Sequence, residues 1–429
     1  MTTGTRGDTV GHSTMVRPAQ PRGLSARCAT VAGMRLYPRI REQHIAVFGE
    51  SGSGKTVLVS SFYGPTQEGS YSNDLWNLVA DDTGKGNRLL KNYLGMRDEA
   101  KTPAHTVFEA TTYSFSVKLK GGDVTSKKRP FDVLRLAWHD YPGEWWEVSP
   151  RGEEEANRRV DAFRSLLRSD VAILLVDGQK LLDYRGEEER YLKSLLANFR
   201  QGILLLQDDL LNGEDVLVEF PRIWILALSK ADLFPEWDVN SFRDLLILKS
   251  HQDIEALRAT LKDLVDTPEA LSLGEDFMLL SSAKFELATA DHEPVEIDVT
   301  QQVGLDLILP VASLLPLERR VQWTERMDIP RRVLDSLADG ADTLAEAIIG
   351  GQLFGLDKAL AKLFPKVSPL VDKAVLPVLA AAAKATGAQL KQVNALAREK
   401  HDYLTATLTQ FKMDLDQAVA DKLLIRSLK

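Results

Sequence analysis

His44-Ile45-Ala46-Val47-Phe48-Gly49-Glu50-Ser51-Gly52-Ser53-Gly54-Lys55-Thr56 is the stretch on which the reading of the fold turns. Its first five residues form a short apolar run, which predicts a buried strand. The next eight match G-x-x-x-x-G-K-[ST], and a helix-capable run follows from Val57. In such a loop the glycines let backbone N–H groups turn inward around phosphate groups. Gly49, Glu50, Ser51, Gly52, Ser53 and Gly54 would form the cradle. Lys55 would bring positive charge to the β and γ groups, and Thr56 would offer its hydroxyl to Mg²⁺.

Outward from this loop, short apolar runs alternate with helix-like stretches. Residues 106–120 are long and β-rich, Gly121-Gly122-Asp123 reads as a hairpin turn, and residues 131–139 return as the partner strand. Residues 171–176, 222–228 and 277–280 are further short strands, and residues 153–168, 187–206 and 253–265 read as helices. This alternation predicts an α/β fold with a doubly wound, mostly parallel sheet. A helix over 305–317 would close it. Beyond 319 the strand signal stops, and an all-helical C-terminal region follows, broken at Gly350-Gly351, Pro365, Pro369, Pro377 and Gly387. Residues 1–42 are rich in Gly, Thr, Arg and Pro without a sustained period and read as a flexible tail. The expected division is therefore a tail over 1–42, a nucleotide-binding domain over 43–318 and a helical domain over 319–429.

Three more motifs fall at strand ends. Asp140-Tyr141-Pro142-Gly143 ends the strand that begins near Phe131. An aspartate there can hold Mg²⁺ through water, and a glycine three residues on can offer its N–H to a γ-phosphate. Ser229-Lys230-Ala231-Asp232 resembles the [NT]-K-x-D motif of GTPases. In that family the carboxylate accepts the N1–H and exocyclic amine of guanine, while the lysine stem packs over the base. Adenine has an acceptor at N1 and no amine at position 2, so this carboxylate discriminates against it. Ser229 departs from the usual Asn or Thr but can still donate one hydrogen bond. Ser282-Ala283-Lys284 matches the S-A-K element, whose backbone contacts the guanine oxygen. Four motifs in this order point to guanine over adenine.

Together they resemble the translation-factor-related class of P-loop GTPases. Within that class the likeness is to the YcjX-like GTPases, carried by Asp140-Tyr141-Pro142-Gly143-Glu144-Trp145, Lys230-Ala231-Asp232, Thr102-Pro103 and Val303-Gly304-Leu305-Asp306-Leu307. It covers residues 43–318 and does not reach the helical region. The resemblance implies GTP or GDP as the bound nucleotide, Mg²⁺ as cofactor, and a switch I threonine on the metal. Thr102 and Thr106 are the candidates, and spacing does not choose between them. It also places Glu144 where many GTPases keep a water-orienting glutamine, beside Lys55 and Gly143 in the catalytic set. A carboxylate can orient or deprotonate water, but it is repelled by the γ-phosphate, so slow hydrolysis is expected. Trp145 and Trp146 form either a docking surface or core packing against the next helix. Arg88 or Arg97 could supply transition-state charge, although a solvated helix face is the plainer reading of each. Ile348-Ile349-Gly350-Gly351-Gln352 faintly resembles an ABC-type signature. It falls after the whole sheet, so two glycines between helices explain it better.

Composition bounds the rest. The chain has 429 residues, 44% of them hydrophobic, and a single cysteine, Cys28. Neither a disulfide framework nor a cysteine-type zinc site is expected, and a cytoplasmic setting fits. The longest uncharged apolar run, 374–383, is about half the length of a membrane span. The formal charge of -8 is uneven: roughly +5 over 1–43, roughly +4 over 319–429 and about -17 between them. An acidic middle argues against nucleic acid as a partner. The basic ends leave open a peripheral contact with an acidic lipid surface. The sequence thus points to a GTP-binding regulatory switch that hydrolyses GTP slowly, its helical region coupling nucleotide state to a protein effector or to self-association. The rivals are a P-loop ATPase subunit and a non-hydrolysing nucleotide-binding scaffold.

Overall fold

The computed structural model describes residues 40–103, 110–120, 133–146, 150–211, 213–214, 216–217, 220–287, 294–326 and 387–427. Strand β1 (Ile40–Phe48) is followed by β2 (Trp76–Ala80), β3 (Thr111–Leu119), β4 (Val133–Asp140), β5 (Val171–Asp177), β6 (Ile223–Ser229) and β7 (Asp276–Leu279). A hairpin of β8 (Lys284–Leu287) and β9 (Pro294–Asp298) comes next, and β10 (Leu424–Ile425) is last. The main sheet runs β10-β7-β6-β5-β1-β4-β3-β2. Its centre, from β7 to β4, is parallel. Every residue of β5 and β6 is buried. Strands covered on both faces are mostly apolar, which is why these two read as unbroken runs up to the polar residues that end them, Asp177 and Ser229.

The flanks are antiparallel. β3 pairs with β4, setting Tyr113 opposite Trp138 and Phe115 opposite Leu136, and β2 pairs with β3. Neither β2 nor the β8–β9 hairpin was expected from sequence. β2 is five residues long and only its Leu78 is buried, so it carries almost no periodic signal. The hairpin takes Lys284, the last residue of the fourth motif, into a strand.

Alternation along β1 sends Ile45 and Val47 to one face of the sheet and Ala46 and Phe48 to the other. The first face is covered by α1 (Lys55–Tyr63), α7 (Ile308–Arg326) and α9 (Tyr403–Ala420). Leu58, Val311, Leu404 and Phe411 fill that core. The second is covered by α3 (Glu153–Leu166), α5 (Glu188–Leu211) and α6 (Val239–Lys262), through Phe163, Leu192, Phe199, Phe242 and Leu257. In α5 the buried positions Leu192, Leu195, Leu196, Phe199 and Ile203 follow three- and four-residue spacing, as a helix with one buried stripe requires. α6 is kinked at Ser250, whose φ of −142° and ψ of 18° are not helical: the piece after the kink is the helix expected from residue 253, and the piece before it was not expected. Asp238 caps it by accepting the Ser241 N–H at 2.9 Å, and Val239, Phe242 and Leu246 bury its first turns. The remaining helices are α2 (Thr83–Glu99), α4 (Gly178–Asp183) and α8 (Gly387–Glu399).

The described C-terminal residues are helical as expected until β10, which pairs antiparallel with β7. The boundary expected between 318 and 319 falls inside α7. Leu404, Leu408, Phe411, Leu415 and Leu424 lie in the same core as Ile45 and Val47. Asp276, at the start of β7, locks this arrangement. It pairs with Arg319 of α7, accepts the Ser427 N–H at 2.7 Å and accepts the Ser272 hydroxyl at 2.6 Å. Burial pushes its carboxyl up, and the Arg319 charge opposes that. Removing one partner of such a pair leaves an uncompensated buried charge, so the contact fixes where the C-terminal residues sit. Residues 327–386, with the glycine pair at 350–351 and the apolar run at 374–383, lie outside the described residues, as does the tail through 39. Among the described residues no helix is long and apolar enough to cross a membrane.

Candidate functional site

The ends of β1 and β4 build the half of the site expected to take the phosphates. Gly52 and Gly54 have φ of +79° and +91°, in the left-handed region that a Cβ disfavours, so the loop needs glycine there. The chain then enters α1, whose N-terminal amides favour anions. Lys55 is 7% exposed, and its ammonium donates to the carbonyls of Gly49 at 2.7 Å and Glu50 at 2.9 Å. It lies 5.3 Å from the centre of the Tyr141 ring. The Tyr141 hydroxyl accepts the Gly49 N–H at 3.0 Å, and its ring packs between Phe48 and Phe163. Sequence reasoning gave Tyr141 no role. An aromatic in a strand-end motif carries no signal that its hydroxyl reaches the loop.

Thr56 donates its hydroxyl to Asp140 Oδ2 at 3.1 Å. Asp140 is 2% exposed, and its Oδ1 is buried without a hydrogen-bond partner. Burial raises its carboxyl, opposed by Lys55, the Thr56 hydroxyl and Arg88. A buried carboxylate oxygen with no donor, beside a hydroxyl at a helix start, fits a magnesium ion. Among the described residues no group of three or more His, Cys, Asp or Glu could hold a metal. Magnesium tolerates such a sparse set, because it keeps water and phosphate oxygens in most positions. Thr102 is exposed just beyond α2, and Thr106 lies outside the described residues. His139, before Asp140, contacts Thr112 Oγ1 and His44 Nδ1, each at 3.0 Å. Burial and the neighbouring imidazole hold it down to about 4, so at neutral pH it adds no charge beside Asp140.

Gly143 lies directly on the loop. A Cβ at this position would fall 2.2 Å from the Ser51 nitrogen and 2.4 Å from the Glu50 carbonyl carbon. Glu144 Oε1 accepts the Ser51 hydroxyl at 3.0 Å, while Oε2 is buried without a partner. Trp145 is 9% exposed, packs edge-on against Phe163 and lies under the Arg159 guanidinium, so it is core against α3. The side chain of Trp146 lies outside the described residues. Arg97 pairs with Glu68 and Asp98 near the surface, and Arg88 bonds the Tyr113 hydroxyl.

The half expected to read the base is built from the ends of β5, β6 and β7. Ser229 is buried and donates to the Val176 carbonyl at 3.3 Å. Lys230 has φ of +55°, strained for a residue with a side chain. Its ammonium is gripped by Asp177 at 2.8 and 2.9 Å. Asp177 also accepts the Gln179 N–H at the start of α4, and its own N–H donates to the Tyr191 hydroxyl. Asp232 Oδ1 accepts the Ser281 hydroxyl at 2.6 Å and Oδ2 the Phe285 N–H at 3.4 Å, so the third and fourth motifs meet. The serine that meets Asp232 is thus Ser281, the residue before the expected Ser282-Ala283-Lys284. Ser282 and Ala283 are buried behind it, and Lys284 is exposed. A Glu50–Lys180 salt bridge of 2.7 Å ties the loop to α4, which Asp177 caps. Asp177 had the same signal as Asp140, an acid closing a buried strand, but it lies in none of the four motifs.

Residues 43–244, just under half of the chain, match the family model Double-GTPase 2. No curated protein matches the chain. Among solved structures it is similar to the signal recognition particle receptor SRb-GTP/SRX complex from Chaetomium thermophilum. That match has 16% identity and a TM-score of 0.29, covering 58% of this chain and 94% of the other. It is also similar to nucleolar GTP-binding protein 1 from Plasmodium falciparum, with 10% identity and a TM-score of 0.24, covering 58% and 79%. Likeness at that level assigns no residue a role, and the narrower YcjX-like resemblance is not confirmed. The family match, with the order of the motifs, supports a P-loop GTPase.

Proposed function

We propose that this GTPase is a regulatory switch that binds GTP with Mg²⁺ and hydrolyses it slowly to GDP and phosphate. The observation that carries the reading is convergence: all four motifs lie at or just after the ends of strands in the parallel centre of one sheet, β1, β4, β6 and β7. In such sheets ligands bind beyond the carboxyl ends of the strands. The amides of 49–55 wrap the phosphates, and Lys55 neutralises charge on the β and γ groups. Thr56 and Asp140 hold the magnesium ion, with Thr102 or Thr106 as the switch threonine. Bound there, the metal offsets negative charge on the phosphate oxygens. Lys230 and Asp232 read guanine, backed by the 281–285 segment.

In the reaction a water oxygen attacks the γ-phosphorus in line, and the bond to the bridging β–γ oxygen breaks. Gly143 offers its N–H to the γ-phosphate, and Glu144 orients the water. The Ser51 hydroxyl holds Glu144 against the loop, where its carboxylate faces the like charge of the γ-phosphate. That repulsion makes turnover slow. Helix α1 begins at Lys55 and shares a core with α9, which supports coupling between the nucleotide and the helical region.

Single-turnover assays of the full chain with GTP and with ATP test this. The expected result is slow conversion of GTP, no conversion of ATP, and loss of conversion in Lys55→Ala. A preference for ATP would make the chain an ATPase subunit. No turnover of either nucleotide over hours would make it a scaffold.

A further inference from the structure

Away from the nucleotide site, a cavity of about 450 Å³ lies where the last turn of α1 meets the segment before β2, the start of α7 and the helices α8 and α9. Phe62, Trp76, Leu309 and Phe411 give it an aromatic and aliphatic wall, with Trp76 edge-on to Phe411. Its polar groups are unbalanced. Among the described residues Asp74, Asp306 and Asp414 line it, against one cation, Arg398. Among the described residues none of these three carboxylates is in a salt bridge. Asp414 has only the neutral Gln410 amide, at 2.9 Å. Burial and the charge of Asp306 both push the Asp414 carboxyl up, as expected for two acids that share a space without a counter-ion. The Arg398 guanidinium is turned to Asn394 and Gln410. Ser61, 1% exposed, also lines the cavity, and its hydroxyl oxygen is buried without a hydrogen-bond partner.

We infer that this cavity is a binding site for an organic cation: a flat or aliphatic apolar body carrying an ammonium or guanidinium group. The aromatic walls take the body and add cation–π attraction, and Asp306 and Asp414 take the charge. The unpartnered Ser61 hydroxyl gives a polar group of the ligand a partner at the floor. The chemistry is shared by a free amine and by an arginine or lysine side chain of a partner protein. An occupant would touch both α1, which carries Lys55 and Thr56 at its other end, and α9.

The test is calorimetric titration of the full chain with phenethylammonium, its neutral isostere 2-phenylethanol, and acetyl-arginine amide. Saturable binding of at least one cation is expected, without binding of the alcohol. Tighter binding of phenethylammonium would point to a free amine, and tighter binding of the arginine derivative to a protein side chain. In the double variant Asp306→Asn, Asp414→Asn the cation should bind about tenfold weaker or worse. Unchanged GDP affinity shows that this variant is folded. The inference is overturned if neither cation binds saturably, if the alcohol binds as well as the amine, or if the double variant binds like wild type.

Discussion

The phosphate half and the base half of the site are made from different materials. Around Gly49 to Thr56 the recognising groups are mostly backbone, and shape is set by what is missing: no Cβ at Gly54, none at Gly143 where the second motif touches the loop. Around Lys230 and Asp232 the groups proposed to recognise the base are side chains, held by other side chains, Asp177 and Ser281. Backbone recognition reads any triphosphate and tolerates no added atom. Side-chain recognition reads one base and can be retuned by exchanging a donor for an acceptor.

The contrast is broken most forcefully at Gly143. In Gly143→Ala the new methyl meets loop backbone, which has no flexible end to swing aside. Equilibrium titration with a GTP analogue should show affinity lost on the order of a hundredfold, and the melting temperature should fall as well, since the overlap is with backbone of the folded chain. An alanine variant of wild-type affinity would mean that the second motif does not rest on the loop. A smaller effect sharpens the other half. Asp177→Asn leaves the fold of β5 in place but removes the charge that holds Lys230. GDP and GTP affinity should each fall about tenfold, with their ratio unchanged, because the lysine stem meets the base and not the γ-phosphate. A change confined to GTP would place the effect at the phosphate half.

The same contrast explains what the sequence disclosed. Backbone recognition demands glycines at fixed spacing, and fixed spacing is visible in a string of letters, as Gly49 to Thr56 was. The fully buried strands β5 and β6 were visible for a related reason, since burial on both faces leaves no polar residue to interrupt the run before Asp177 and Ser229 end it. Side-chain support is set by tertiary contact. Asp177 and Lys230 lie 53 residues apart, and Ser281 and Asp232 lie 49 apart. Nothing local in the sequence marks either pair, and nothing local distinguishes Ser281 from Ser282. β2 escaped because one buried leucine makes no period. The piece of α6 before its kink at Ser250 escaped because its start depends on a cap at Asp238. The C-terminal helices announced their helicity but not their place, which is fixed by the buried Asp276–Arg319 contact and by β10.

The central claim is that this site holds guanine through Asp232. The direct measurement is competition among GDP, ADP and xanthosine diphosphate for wild type and Asp232→Asn. Wild type should prefer GDP over both. The asparagine variant should lose about a hundredfold in GDP affinity and gain for the xanthine nucleotide, whose oxygen at position 2 can accept from the new amide. A wild type that binds ADP as tightly as GDP, or a variant whose nucleotide ranking is unchanged, would contradict the account.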